Sequence, residues 1–176
     1  MIPHSLRKRV VRFKIHTMKL ISKYFYPLFL IVLISACSSD DSLDKDDEKP
    51  TIGINYNGGF PQACEILQKG ETYTFKAQVT DNQALASYSL NIHHNFDHHT
   101  HDDQGAQCDL EAVKQASNPF LFTENYFIAN GGTTYEINIE LTIPTDIDDG
   151  DYHCSFSVTD ETGWQSRTSV DIKIVE

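Results

Sequence analysis

Between residues 51 and 175, apolar side chains recur at every second position in short runs separated by polar turns. Residues 72–80, TYTFKAQVT, set Tyr73, Phe75, Ala77 and Val79 on one face. Residues 87–93 alternate Tyr88, Leu90 and Ile92 against Ser87, Ser89, Asn91 and His93. The same alternation runs through Tyr135, Ile137, Ile139 and Leu141 over residues 134–143. Over residues 151–159, Tyr152, Cys154, Phe156 and Val158 face inward, and His153, Ser155 and Ser157 outward. Val170, Ile172 and Ile174 close the pattern over residues 169–175. A period of two is that of a half-buried strand. Residues 51–56 read as a first short strand and 120–128 as a further apolar run. Asn57-Gly58-Gly59, Asn130-Gly131-Gly132, Asp148-Asp149-Gly150 and Thr162-Gly163 supply the turns. No long segment has a helical period, although residues 109–115 have room for a turn or two.

Short strands at regular spacing predict an all-β sandwich for residues 50–176, a length suited to one domain with one core. Asp148-Asp149-Gly150-Asp151-Tyr152-His153-Cys154 reads as D-x-G-x-Y-x-C, and resembles the start of strand F in immunoglobulin-like (Ig-like) domains. There the tyrosine forms a corner, its hydroxyl bonding back to the backbone. The likeness departs from antibody domains: strand B has no cysteine to face Cys154, and strand C has no core tryptophan. It therefore implies an Ig-like sandwich without the inter-sheet disulfide.

Ahead of the domain the pattern changes. Residues 26–36, YPLFLIVLISA, are continuously apolar and of signal-peptide length. Arg7, Lys8, Arg9, Arg12, Lys14, Lys19 and Lys23 precede or abut them, and no acid occurs before Asp40. Leu33-Ile34-Ser35-Ala36-Cys37 resembles the lipobox of bacterial lipoproteins. That resemblance implies cleavage after residue 36, acylation of Cys37, and a lipid anchor at the outer membrane, facing the periplasm or the surface. Met18 offers a second start site, with MKLISKY as its basic region. Residues 37–49 then read as the acylated cysteine and a flexible acidic linker. The acids after Cys37 also resemble a surface-export signal, and equally fit plain linker composition. Removal of residues 1–36 leaves 7 Lys and Arg against all 25 acids, a net charge of −18. Such a chain repels nucleic acid and attracts cations.

Three cysteines follow Cys37. In an oxidising compartment a pair is expected. Cys64 and Cys108 lie in irregular segments and are the favoured partners, leaving Cys154 as a buried thiol.

The chemistry concentrates after strand C, in Ile92-His93-His94-Asn95-Phe96-Asp97-His98-His99-Thr100-His101-Asp102-Asp103. Five of the six histidines beyond residue 36 fall within nine positions. Neutral imidazole suits zinc, copper and nickel, and carboxylates add charge neutralisation. His99 and His101 share one side of an extended segment, and His93 ends strand C facing outward. In an Ig-like sheet strand C pairs with strand F, which brings the outward His153 towards His93. His93, His99, His101 and His153 are thus the expected ligands of a late first-row divalent metal, zinc foremost, with Asp97 as ligand or orienting partner. The run also resembles the I-H-x-N-F-D-x-H-x-H-like signature of an uncharacterised family of lipoprotein-anchored Ig-like domains. On that likeness His93, Asn95, Phe96, Asp97, His99 and His101 are the family positions, and His94 and His98 are extras.

Three functions compete on the sequence. One is a membrane-anchored lipoprotein that captures or buffers zinc or copper. Another is a structural or adhesive module, with a protein or glycan partner, in which metal is only a loop staple or absent. The third, a metallohydrolase using Asp97, Asp102 or Asp103 as base, lacks any zincin helix or nucleophile motif, so an enzyme is not expected.

Overall fold

The computed structural model describes residues 45–102 and 108–176. Cys37, the apolar run before it, most of the acidic linker and Asp103 lie outside the described residues. Among the described residues there is no helix. These residues form eight strands in two sheets: β1 (Thr51–Gly53), β2 (Glu65–Gln68), β3 (Thr72–Thr80), β4 (Leu85–His94), β5 (Phe122–Phe127), β6 (Thr134–Thr142), β7 (Gly150–Asp160) and β8 (Gln165–Val175). The three-stranded sheet has the order β1-β3-β6 and the five-stranded sheet β2-β8-β7-β4-β5. All neighbours are antiparallel except β2, which runs parallel to β8. This is the sandwich that the alternation predicts, with β4 and β7 in the places of Ig strands C and F.

Inner faces carry the core. Phe75, Ala77 and Val79 of β3 and Ile137 and Ile139 of β6 close over Leu90 and Ile92 of β4, Tyr152, Cys154, Phe156 and Val158 of β7, and Ile172 and Ile174 of β8. Burying each of the larger side chains contributes about 1.5–3 kcal/mol. Cys154 is a fully buried free thiol, and burial pushes its pKa well up. Tyr152 is fully buried too; its hydroxyl donates to the Asp148 carbonyl at 2.5 Å and accepts from Phe120 N at 3.2 Å. That is a tyrosine corner.

The structure departs from the sequence pattern in four places. Residues 109–115 form no helical turn; Glu111 N donates to Asp151 and Lys114 N to the Phe96 carbonyl, which holds the segment against the sheet. β2 was invisible to periodicity, since only Leu67 of its four residues is buried. The first strand stops at Gly53, where Tyr56 N turns back onto the Ile54 carbonyl. Lastly, part of the segment read as linker docks on the domain. Asp46 is 7% exposed, accepts from Asn82 and Thr162, and receives Trp164 Nε1 on its carbonyl.

The insertion between β4 and β5 positions the site. It folds back across the outer face of β7 and β8, where Asp151, His153, Ser169 and Asp171 are all buried. Phe96 is the plug: it is buried, meets Tyr152 edge-on at 5.3 Å, and carries Lys114 Nζ 4.6 Å from its ring centroid. Gly150 makes that passage possible. Its φ is +122°, and a Cβ there would stand 2.9 Å from Lys114 Nζ and 3.2 Å from the Phe96 ring. Cys64 and Cys108 are joined by a disulfide, which ties the far arm of the insertion to the start of β2.

Candidate metal centre

Strand register brings the first two imidazoles together. β4 and β7 pair so that His93 lies directly opposite His153, and β7 and β8 pair so that His153 lies opposite Asp171. All three side chains stand on the outer face. Immediately beyond β4 the backbone turns: His98 N donates to the Asn95 carbonyl, and His98 takes a left-handed φ of 58°. This reversal returns His99 and His101 over the sheet, onto His93 and His153.

Four imidazoles therefore converge, with one ring nitrogen of each within 4.8 Å of the other three. His93 Nε2 stands 3.2 Å from His99 Nε2 and 3.0 Å from His101 Nε2. A tetrahedral zinc with bonds of about 2.0–2.1 Å sets its nitrogens about 3.3–3.4 Å apart, so the spacing fits one ion. His153 is completely buried, and the other three are half-buried.

What lies behind the rings decides what the centre can bind. His93 Nδ1 is 2.6 Å from Asn91 Oδ1. The Asn91 amide nitrogen is committed to Thr123 Oγ1 at 2.6 Å, so its oxygen faces the imidazole and accepts. His99 Nδ1 is 2.6 Å from Asp97 Oδ1. His153 Nδ1 is 2.7 Å from Asp171 Oδ1, a close contact that is not a hydrogen bond. The Asn91 and Asp97 oxygens draw the single proton of neutral His93 and His99 to Nδ1. Nε2 is left as a bare lone pair aimed at the centre. The His93 and His99 lone pairs, 3.2 Å apart, repel, and a fixed backing of this kind is how proteins orient imidazole towards a metal.

Electrostatics keep His93 and His153 neutral. Burial, then the neighbouring imidazoles His153, His101 and His99, push the His93 pKa from 6.5 down to about 4. Burial also lowers that of His153, against the raising effects of the His99 carbonyl and Asp171. The carbonyl of His99 accepts from His153 Nε2 at 3.1 Å. The hydrogen bond from His99 holds the Asp97 carboxyl below the usual range.

Asp97 stands behind His99 and outside the converging group, so it orients. His98 turns away and its Nε2 meets the Glu111 carbonyl at 2.9 Å; the His94 ring packs tilted against Phe96, 4.9 Å between centroids. Asp102 is exposed and outside the group. Two supporting residues escaped sequence reasoning. Asn91 shares the outward face two positions before His93, and a hairpin centred on Thr162 sets Asp171 against His153. Both signals are present in the strand alternation. The centre opens onto a cleft of about 300 Å³ lined by Ser89, Asn91, His93, His101, Ser155 and Arg167 among others, which gives an ion a route in and out.

Residues 35–175 match the family described as a domain of unknown function (DUF4625). No curated protein matches the chain.

Proposed function

We propose that this chain, which belongs to the DUF4625 family of unknown function, is an envelope lipoprotein whose domain binds a late first-row divalent metal. Zinc is the first choice and copper the second. The observation that carries the reading is the convergence of His93, His99, His101 and His153, three of them backed at Nδ1 by an oxygen. Four nitrogen ligands and no thiolate suit zinc, copper or nickel. A complete set of four protein ligands leaves no position for substrate, which argues for holding metal and against metallohydrolase chemistry.

In this reading Cys37 carries the lipid, the chain sits at the outer membrane on its periplasmic or surface face, and the metal ion is cargo. The acidic balance beyond residue 36 raises the local cation concentration and leaves nucleic acid out of consideration. A second reading has the metal as a staple for an adhesive or structural module that binds a protein or glycan. Its support is that the ligands link the insertion to β7, at a centre partly enclosed by the fold.

Elemental analysis of the domain purified without a histidine tag tests the metal. One equivalent of zinc or copper, lost in the His153→Ala variant, is the expected result; no bound metal after zinc exposure overturns it. Exchange separates cargo from staple: release to a competing chelator within minutes at native pH supports cargo, and retention over days supports the staple. Fatty-acid labelling that disappears in Cys37→Ser tests the anchor.

A further inference from the structure

At the other end of β7 lies a second cluster, made only of oxygen. Asp46, from the segment before β1, Asp81, one residue past β3, and Asp160, the last residue of β7, each place a carboxylate oxygen within 4.8 Å of the other two. Asp160 is 2% exposed and Asp46 7%. Asp160 Oδ1 is fully used, accepting from Gly163 N at 2.6 Å, Trp164 N at 2.9 Å and Thr162 Oγ1 at 2.9 Å. Its Oδ2 is buried with no hydrogen-bond partner, as is Asp81 Oδ1. Asp46 Oδ2 shares the Thr162 hydroxyl with Asp160, so the two carboxylates flank one group. Among the described residues none of the three forms an ion pair with Lys, Arg or His.

We propose that Asp46, Asp81 and Asp160 bind one calcium ion, which pins the segment around residue 46 to the domain. Three carboxylates cannot share a partly dry site without repulsion, and among the described residues no cationic side chain pairs with them. Unpartnered carboxylate oxygens at Asp81 and Asp160 are open acceptors for a cation. All the donors are hard oxygens, which select calcium or magnesium over zinc or copper. Carboxylates gathered from three separate segments suit calcium, which takes six to eight oxygens at about 2.3–2.6 Å in flexible geometry, better than magnesium, which demands a near-ideal octahedron. Water completes the shell on the Asp81 side, the less buried of the three. The three ligands come from both sheets and from the preceding segment. One ion therefore joins all of them, alongside the Trp164 Nε1 bond to the Asp46 carbonyl and Lys49 over the Trp164 ring at 5.7 Å.

Trp164 is the only tryptophan of the chain and sits beside the cluster, so terbium bound there is sensitised through it. The full chain, stripped of metal, is titrated with terbium and then with calcium. Terbium emission excited through Trp164 and displaced by calcium, with a calcium dissociation constant of about 10⁻⁴–10⁻³ M, is expected. Asp81→Asn, the variant least costly to folding, weakens calcium binding roughly tenfold by removing one charge. Calcium also slows tryptic cleavage after Lys45. The site does not depend on the imidazoles, so His153→Ala leaves all of this unchanged. Absence of calcium-displaceable emission in folded protein overturns the proposal. So does equal displacement by magnesium, or cleavage at the same rate with and without calcium.

Discussion

Strand β7 carries different chemistry at its two ends, and the difference follows from its pleat. His153, near its start, points out of the sandwich, whereas Asp160, at its end, falls on the same side as Tyr152, Cys154, Phe156 and Val158. Seven residues separate them, roughly 24 Å along a strand. The outward end is buried only because the insertion folds over it, and its donors are nitrogens backed by oxygens. The inward end closes the gap between the sheets, and its donors are oxygens alone. A strand of even period thus presents a nitrogen donor set and an oxygen donor set on opposite faces, each sheltered by a different part of the chain.

Breaking one end should leave the other intact. The largest effect is expected from His153→Ala, which removes the one fully buried imidazole and the only ligand outside residues 93–101. Zinc affinity should fall by at least two orders of magnitude, measured by competition with a chromophoric chelator, while calcium-displaceable terbium emission persists. Loss of both would mean that the variant had unfolded, and near-UV circular dichroism would reveal it.

Acid comes next. Zinc needs neutral imidazole, and the depressed pKa of His93, about 4, keeps that ring neutral where an ordinary histidine is charged. Zinc should therefore be released mostly between about pH 6 and 4, below the reference value of about 6.5. The sign for metal-free stability follows from the same shift. The unfolded chain binds more protons over this range, so stability present above about pH 6.5 is lost as pH falls towards 4. A zinc-release midpoint at or above pH 6.5 would contradict the burial of the cluster.

Asp97→Asn should weaken zinc binding about 10–100-fold, since the orienting acceptor behind His99 becomes neutral. If zinc is lost altogether, Asp97 is a ligand after all. Tyr152→Phe should cost about 1 kcal/mol in chemical denaturation, through loss of the hydroxyl bond to Asp148, without changing the relative affinities for zinc and calcium. The smallest effect belongs to His98→Ala, expected to bind zinc like the parent, because its ring faces the Glu111 carbonyl.

Much of the imidazole end was legible because it rests on two simple periodicities. Alternation put His93 and His153 on outer faces, and the neighbouring of strands C and F put them on one patch. The covering of that patch was not legible: His153 reads as outward, yet it is completely buried, because the path of the insertion depends on Phe96 and Cys108 finding distant partners. The acidic end was hidden for a different reason. Asp46 lies in a run of acids and lysines whose composition reads as solvated, and its docking depends on Asn82, Thr162 and Trp164, up to 118 residues away. Local composition carries no trace of such contacts.

The bond between Cys64 and Cys108 has a consequence for when the imidazole centre matures. It closes a separation of 44 residues that contains all of β3 and β4 and the four clustered histidines after Ile92 that precede Thr100, together with His101. By chain entropy alone such a closure is worth about 4 kcal/mol against the unfolded state. A reduced chain must gather its imidazoles from a wider ensemble, so it competes less well for scarce zinc than the oxidised one. On the reading proposed above, of an exported zinc-binding domain, oxidation then acts as a checkpoint on metallation: the reduced chain is a weak competitor for zinc and becomes a strong one where disulfides form.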